Sequence, residues 1–301
     1  MSAALHQTIV IFVGLIAGFF LRKKKILSAT GTKELTAVTL NVFLPGMLLV
    51  NILSNTTEMK TGDVLFFLAL SAGMYLLGLV LGKVFTAVTK APKSDRGVYE
   101  FGSLASNAGF MGIPVCLAVF GSKCSLYAAL TNIPFNLLTF SLGVYLLAGK
   151  ATLKRILNPS FITSIVGVAI YLLGFSDKMP AIVTDVASFL GQATTVCAMV
   201  VIGSTLATVP LKSIFTEWRF IPFLILRLFG IAAVTFLLLK LVDIPPLAKA
   251  VIVMMAAMPV ATISTMLSSL YGGNTELASK LVFLSHALAI VTIPIWGAFL
   301  T

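Results

Sequence analysis

Long apolar runs dominate this sequence, and they limit the possible folds more than any other feature. Ten stretches of roughly 20 mostly apolar residues follow one another with short connections. They lie near residues 5–21, 35–53, 64–88, 97–121, 125–148, 160–175, 180–207, 219–241, 246–270 and 277–300. A helix satisfies its backbone hydrogen bonds internally, as hydrocarbon requires. The expected fold is therefore an all-α membrane protein with about ten transmembrane helices, numbered here as segments 1 to 10.

Composition supports this fold class and excludes several functions. Hydrophobic residues make up 58% of the chain and charged residues 10%, whereas soluble domains are about 25% charged. The connections are too short to fold into a soluble domain that could carry an activity. The net charge of +11 is explained by membrane topology and anionic lipid headgroups, so we expect a lipid bilayer as partner and no nucleic acid.

The distribution of basic residues predicts the orientation. Connections after segments 1, 3, 5 and 7 carry Arg22, Lys23, Lys24, Lys25, Lys33, Lys90, Lys93, Arg96, Lys150, Lys154, Arg155, Lys212 and Arg219. Connections after the even segments carry only Lys60, Lys123, Lys178 and Lys240. Because basic loops stay in the cytoplasm, both termini are predicted on the extracytoplasmic side of a multi-pass protein of the cell membrane.

Two segments are interrupted by helix-breaking and polar residues. The interruptions contain Asn107, Gly109, Gly112 and Pro114 in segment 4, and Pro259, Thr262, Ser264 and Thr265 in segment 9. Unwound backbone at membrane depth persists only where it is buried in protein or lines a polar cavity. A simple proline kink that shapes packing is the alternative. However, an interruption occurs in both halves of the chain, and this favours a binding site.

The order of the elements indicates an internal repeat. Residues 120–128 align with residues 271–279, at the ends of the two interrupted segments. We place the first repeat at 1–150 and the second at 158–301. Since five helices per half is an odd number, the halves must be inverted, which is a plan of secondary transporters. Helix N-termini that meet near the midplane would bind an anionic group such as a carboxylate.

The interrupted motifs resemble the auxin efflux carrier family. Their sequences are LNVFLP at 40–45, SNAGFMGIP at 106–114, MP at 258–259 and GGN at 272–274. That family includes plant auxin exporters and bacterial malate and malonate permeases, and its fold is close to that of the bile acid/sodium symporters. The resemblance implies a ten-helix homodimeric carrier that moves organic anions by an elevator-type mechanism. It also implies that broken helices 4 and 9 cross, that helices 1, 2, 6 and 7 form a scaffold, and that helices 3–5 and 8–10 form a moving core.

Candidate site residues follow from the interruptions and from the resemblance, in which Asn107 matches a substrate-contacting asparagine. The expected substrate-binding residues are Asn107, Ala108, Gly109, Gly112, Pro114, Pro259, Thr262, Ser264, Asn41 and Asn136. Thr262 and Ser264 stand where family members often carry a second amide. Asn136 could instead bond between helices, and Arg227 is expected to snorkel toward the membrane surface.

Two titratable residues are candidates for coupling transport to an ion. His286 lies within segment 10 and could carry a proton, or it could be a structural histidine with hydrogen bonds. Glu100 lies near Arg96 and could carry a proton, or it could stabilise a helix N-terminus.

An enzyme, a receptor and a sodium-coupled symporter are the alternatives to a carrier that is not coupled to sodium. No nucleophile with a base, acidic pair or metal-ligand cluster is evident, so we expect no enzyme activity, no cofactor and no metal site. A receptor without transport activity is an alternative, although it would normally bring a signalling domain. A sodium-coupled symporter of the bile acid type is the closer alternative, but segments 3–5 and 8–10 offer few carboxylates beyond Glu100. Uniport or proton-linked transport is therefore favoured.

Overall fold

The computed structural model describes residues 3–53, 59–148, 159–208 and 217–301, which are helical apart from turns and one isolated bridge. The helices fall on the predicted segments in order and take the same numbers. Unbroken helices are α1 (Ala3–Lys23), α2 (Ala29–Leu53), α3 (Thr61–Val88), α5 (Ser122–Leu147), α6 (Pro159–Leu172), α7 (Ala181–Leu206), α8 (Phe220–Leu239) and α10 (Thr275–Leu300). Two are split, into α4a (Lys93–Leu104) and α4b (Ala108–Phe120), and into α9a (Pro246–Ala257) and α9b (Ile263–Tyr271).

Six of these helices are long and apolar enough to cross a membrane: α2, α3, α5, α7, α8 and α10. Helix α4b, residues Ile162–Leu172 of α6 and helix α9a are shorter apolar helices. Large apolar side chains such as Leu65 and Val80 of α3 are exposed, while polar side chains such as Asn132 are buried. This distribution suits a surrounding of lipid and confirms the predicted all-α, multi-span membrane fold.

Helix α2 begins earlier than hydropathy indicates. Its first turn is polar, and the Ser28 side chain caps it by accepting a hydrogen bond of 2.9 Å from the Gly31 amide. Such a cap satisfies one of the amides that a helix start leaves unpaired. Hydropathy alone places the start near residue 35 because it does not register a capped polar turn.

Glycines bring several helices into close contact. Gly14 and Gly18 of α1 lie against Met199 and Val200 of α7, and a Cβ at Gly203 of α7 would overlap with the Leu15 carbonyl. Small residues at helix interfaces in membranes permit this close approach of backbones.

The helices pack around the two interruptions. Helix α7 packs against α1 and α2, and α2 also packs against α6. Elsewhere α3 packs against α4a and α5, α8 against α9a, and α9b against α10. The interruptions of α4 and α9 lie among these helices, where buried apolar side chains from most of the chain meet.

Candidate functional site

The interruptions of α4 and α9 are paired through their backbones. Ser106 and Val260 form an isolated antiparallel bridge. The Asn107 amide donates to the Pro259 carbonyl at 2.8 Å, and the Ala261 amide donates to the Ala105 carbonyl at 2.9 Å. The backbone N–H and C=O groups of the two unwound stretches therefore hydrogen-bond to each other, which hydrocarbon could not do for them.

The local sequence explains where each helix stops. Met258 has extended backbone angles, φ −62° and ψ 149°, as the residue before a proline prefers. In α4 the unwound residues are Ala105 to Asn107, and a π-turn at Ala108–Gly112 precedes Pro114. Pro114 thus lies in the turn after the break, where its missing N–H is tolerated near a helix start.

Helix α10 fixes both interruptions through two adjacent residues. The Ser285 hydroxyl accepts a hydrogen bond from the Val260 amide at 3.1 Å and donates to the Val282 carbonyl at 3.1 Å. The next residue, His286, is fully buried and lies 2.9 Å from the Asn107 side-chain nitrogen. Sequence analysis identified His286 but missed Ser285, although two adjacent polar residues inside an apolar segment were a usable signal.

The contacts of His286 determine its tautomer. Its Nδ1 lies 2.7 Å from the Val282 carbonyl, which can only accept, so Nδ1 carries the proton. Nε2 is then the acceptor, and the Asn107 Nδ2 donates to it. This bond fixes the rotation of the Asn107 amide.

A cavity of about 190 Å³ lies beside the paired interruptions. It is lined by Leu40, Asn41, Leu44, Asn107, Gly109, Phe110, Phe135, Asn136, Phe140, Ser160, Ala261, Thr262 and Ile263. Five of the predicted substrate-binding residues are in that set, namely Asn41, Asn107, Gly109, Asn136 and Thr262. We call this space the central cavity.

The other predicted substrate-binding residues lie near the central cavity but do not line it. Ala108 is fully buried, and a Cβ at Gly112 would lie 2.5 Å from the Met255 sulfur. Pro259 contributes its carbonyl to the backbone pairing. Ser264 is buried, and its hydroxyl finds no hydrogen-bond partner in the described part of the chain. These four residues and Pro114 therefore belong to the helix breaks beside the cavity and not to its lining.

Hydrogen-bond donors converge on the central cavity from two helix N-termini. The backbone amides of Gly109, Phe110 and Ile263 have no backbone acceptor among the described residues. Neither α4b nor α9b has a side-chain cap, and the buried Thr262 hydroxyl is unpaired within the described chain. Uncapped N-termini carry partial positive charge, and the described lining contains no charged side chain. The arrangement suits an anion.

The other two asparagines of the cavity use their side-chain nitrogens within their own helices. Asn41 Nδ2 donates to the Ala37 carbonyl at 2.7 Å, and Asn136 Nδ2 donates to the Asn132 carbonyl at 2.8 Å. The absence of a side chain at Gly109 makes room for Asn132, because a Cβ there would lie 3.1 Å from the Asn132 Oδ1.

Glu100 lies outside the central cavity. Its carboxylate accepts a hydrogen bond of 3.1 Å from the Thr86 hydroxyl on α3. The expected proximity to Arg96 does not produce an ion pair, because Arg96 Nε donates to the Ala91 carbonyl at 3.0 Å instead. Glu100 therefore contacts α3.

A larger space of about 460 Å³ adjoins the central cavity. It shares Leu40, Phe110, Thr262 and Ile263 with the cavity, and its remaining lining is rich in hydroxyls. Two cations, Arg22 from the end of α1 and Lys33 from the first turns of α2, also line it. We call this space the basic vestibule.

The multi-span fold, with a cavity beside its paired helix interruptions and an adjoining vestibule, is the architecture of a membrane transporter. Comparison with known sequences agrees. The chain belongs to the family described as membrane transport protein, whose model matches residues 3–152 and again residues 143–297. This confirms the resemblance to the auxin efflux carriers.

Two related proteins align over nearly the whole chain. An uncharacterized transporter of Methanocaldococcus jannaschii is 26% identical over 96% of this chain and 96% of its own length. A protein of Rhizobium meliloti, named as a proposed malonate transporter, is 25% identical over 95% of this chain and 83% of its own length. The transporter class is thus supported along the full alignment.

Proposed function

We propose that this protein is a secondary carrier for a small organic anion, with a carboxylate such as malate or malonate as substrate. The observation that carries the proposal is the convergence of two uncapped helix N-termini on the central cavity. The name of the Rhizobium meliloti relative points to the same class of substrate.

In this proposal one carboxylate lies between the starts of α4b and α9b. Gly109, Phe110 and Ile263 line the same cavity, and their backbone amides have no backbone acceptor among the described residues. The Asn107 side chain, fixed by His286, keeps one N–H of its amide for the substrate. Binding by backbone dipoles avoids the cost of burying a Lys or Arg side chain in the substrate cavity.

Transport is proposed to follow an elevator-type mechanism in a homodimer, with two inverted repeats at 1–150 and 158–301. Helices α1, α2, α6 and α7 would be the scaffold, and α3–α5 with α8–α10 the moving core. With both termini extracytoplasmic in the cell membrane, Arg22 and Lys33 are on the cytoplasmic side. The basic vestibule would then be the cytoplasmic access route.

Proton coupling through His286 is proposed in preference to sodium coupling. Protonation of Nε2 would remove the acceptor of the Asn107 amide, so substrate and proton occupancy would be linked. Glu100 bonds to α3, and it is the weaker coupling candidate. Melting temperatures with and without sodium separate a sodium-coupled symporter from this proposal, and uptake in proteoliposomes separates a receptor without transport activity.

The test is the melting temperature of the purified protein against monocarboxylates, dicarboxylates, aromatic acids and amino acids, with and without sodium and at two pH values. A ligand of the native state raises the melting temperature by mass action. We expect stabilisation by a small carboxylate, and we expect Asn107→Ala to lose it while the ligand-free protein stays folded, with a melting temperature lowered only by the loss of one buried hydrogen bond. Asn51→Ala, the same change in α2 outside the cavity lining, is the matched control.

Each outcome has a separate meaning. Stabilisation only with sodium would favour the symporter, and binding without uptake in proteoliposomes would favour the receptor. If no carboxylate stabilises the wild type, or if Asn107→Ala binds as the wild type does, the proposed site is wrong.

A further inference from the structure

Arg227 is a buried cation in α8 that the proposed substrate site does not use. Only 1% of it is exposed, contrary to the expected snorkelling. Its Nε and one terminal nitrogen, Nη2, have no hydrogen-bond partner in the described part of the chain. Neither ion pair found among the described residues includes it. An uncompensated charge at such depth is costly and generally indicates function.

Polar groups of α3 and of the α4 interruption lie in this region. Tyr75 of α3 is buried, and its ring centroid lies 5.8 Å from that of Phe135 on α5. A Cβ at Gly78, about one turn further along α3, would meet the Ser103 carbonyl of α4a and the side chain of Ile231, which lies one turn after Arg227 on α8. Ser71, one turn before Tyr75, is also buried. The hydroxyls of Ser71, Tyr75 and Ser106 complete no hydrogen bond within the described residues. The set contains donors and dipoles, and it contains no carboxylate.

The backbone pairing connects this set to the central cavity. Ser106 is one half of the bridge with Val260, and its neighbour Asn107 lines the cavity. Ser106, by contrast, is absent from the cavity lining. Arg227 itself lies in a π-turn, Leu226–Gly230, a local distortion that is frequent at functional sites. A Cβ at Gly102 of α4a would lie 3.2 Å from Phe223 of α8 and 3.5 Å from Val260. The face of α8 that carries Phe223 and, one turn later, Arg227 therefore lies against the paired interruptions, whereas Arg227 is not in the cavity lining.

We propose that Arg227 is a resident countercharge for the bound anion, acting through the paired interruptions without touching the substrate. The inference rests on the proposed function and deepens it. A fixed guanidinium outside the cavity supplies the positive charge that a co-bound cation would otherwise supply. It therefore favours dianions over monoanions and makes sodium unnecessary for binding.

The expected size of the effect follows from Coulomb's law. At an effective dielectric constant of about 20, two unit charges that are separated by intervening residues still interact by an amount equivalent to roughly tenfold in affinity. The contribution grows with each charge on the ligand. A purely structural role of Arg227 would change the affinity of charged and uncharged ligands alike, so the dependence on ligand charge is the decisive readout.

The experiment measures affinities for malonate, its monomethyl ester and its dimethyl ester, in sodium and in choline buffers. Wild-type protein is compared with Arg227→Met, Arg227→Gln and Arg227→Lys. In the two neutral variants we expect the preference for malonate over the monoester to fall roughly tenfold, while Arg227→Lys retains most of it. Lys240→Met removes one positive charge near the far end of α8 and should leave the preference unchanged.

A second readout is the melting temperature without ligand. Because the neutral variants remove an uncompensated buried charge, we expect a melting temperature equal to or above that of the wild type. Unchanged charge preference in the neutral variants, failure of both to fold, or a wild type that needs sodium would each overturn the inference. A wild type that binds no carboxylate would overturn the proposed function as well, which distinguishes the two failures.

Discussion

At the scale of single residues, the bond between Asn107 and His286 is the most specific feature of the site. It joins an unwound residue of α4 to the buried middle of α10 at 2.9 Å. A neutral histidine that donates from Nδ1 to the Val282 carbonyl accepts at Nε2. The amide orientation of Asn107 is then determined by a residue that does not line the central cavity. In the proposed site, His286 would therefore position Asn107.

Removing His286 should weaken substrate binding through Asn107. In His286→Ala the amide loses its acceptor and can rotate, so the dissociation constant for the carboxylate should rise on the order of tenfold. Isothermal titration of His286→Ala, Asn107→Ala and the double variant would measure the coupling. The double variant should bind no more weakly than Asn107→Ala alone. Strictly additive losses would mean that the two side chains act independently.

The sequence predicted several residues that line the cavity, but it did not predict the contacts between helices that hold them. Asn107, Gly109, Thr262, Asn41 and Asn136 do line the cavity, since amides, hydroxyls and glycines are conspicuous in apolar segments. The pairing partner Ser285 and the burial of Arg227 were missed. Both depend on contacts between helices that are distant in sequence, and periodicity alone does not predict such contacts.

At the scale of helices, close packing depends on glycines that face a neighbouring backbone. Gly203 of α7 lies against the Leu15 carbonyl of α1, whereas a Cβ at Gly73 of α3 would meet nothing within 4 Å. Gly14 and Gly18 likewise face α7, and Gly78 and Gly82 face Ser103 of α4a. In each pair the spacing of four residues places both glycines on one face of the helix.

Gly203→Ala should separate α1 from α7. Its methyl group would overlap with backbone, which cannot move away as a flexible side chain could, and overpacking of this kind costs about 1–3 kcal/mol. We expect a clearly lower melting temperature in detergent. Gly73→Ala, the same change at an exposed helical position, should be neutral or slightly stabilising. Equal melting temperatures for the two variants would contradict the described contact.

The broken helices show what a sequence can and cannot predict about an element. Pro259 and the residue before it identify the end of α9a correctly, because proline restricts its neighbour. In segment 4 the proline misleads, since Pro114 lies after the unwound residues 105–107. That break is stabilised by the backbone of the other half of the chain, and such a partner leaves no local signal.

At the scale of the whole molecule, the charged side chains lie beside the proposed substrate site and not within its described lining. The central cavity has no charged side chain in its described lining, whereas the adjoining basic vestibule presents Arg22 and Lys33. Charges at the mouth of a narrow space raise the local concentration of an oppositely charged solute without binding it tightly. The vestibule should therefore affect the rate of access more than the affinity.

Lys33→Gln should slow uptake of the carboxylate into proteoliposomes at low ionic strength. Its effect should be a loss of about two- to fivefold in rate at limiting substrate, because one steering charge is removed. At about 1 M salt the Debye length is about 3 Å, so the difference from wild type should nearly vanish. Lys178→Gln, which lies outside the vestibule lining, serves as the control. A loss that persists at high salt would indicate a direct contact with the substrate.

The backbone pairing of the two interruptions also affects which mutations the protein can accept. Its hydrogen bonds join Asn107 to Pro259 and Ala261 to Ala105 through main-chain atoms, so they do not depend on the side chains at those positions. Side chains that face the central cavity can therefore be exchanged without loss of the frame that holds them. New substrate preferences could arise in this architecture by single substitutions, while the architecture itself is inherited unchanged.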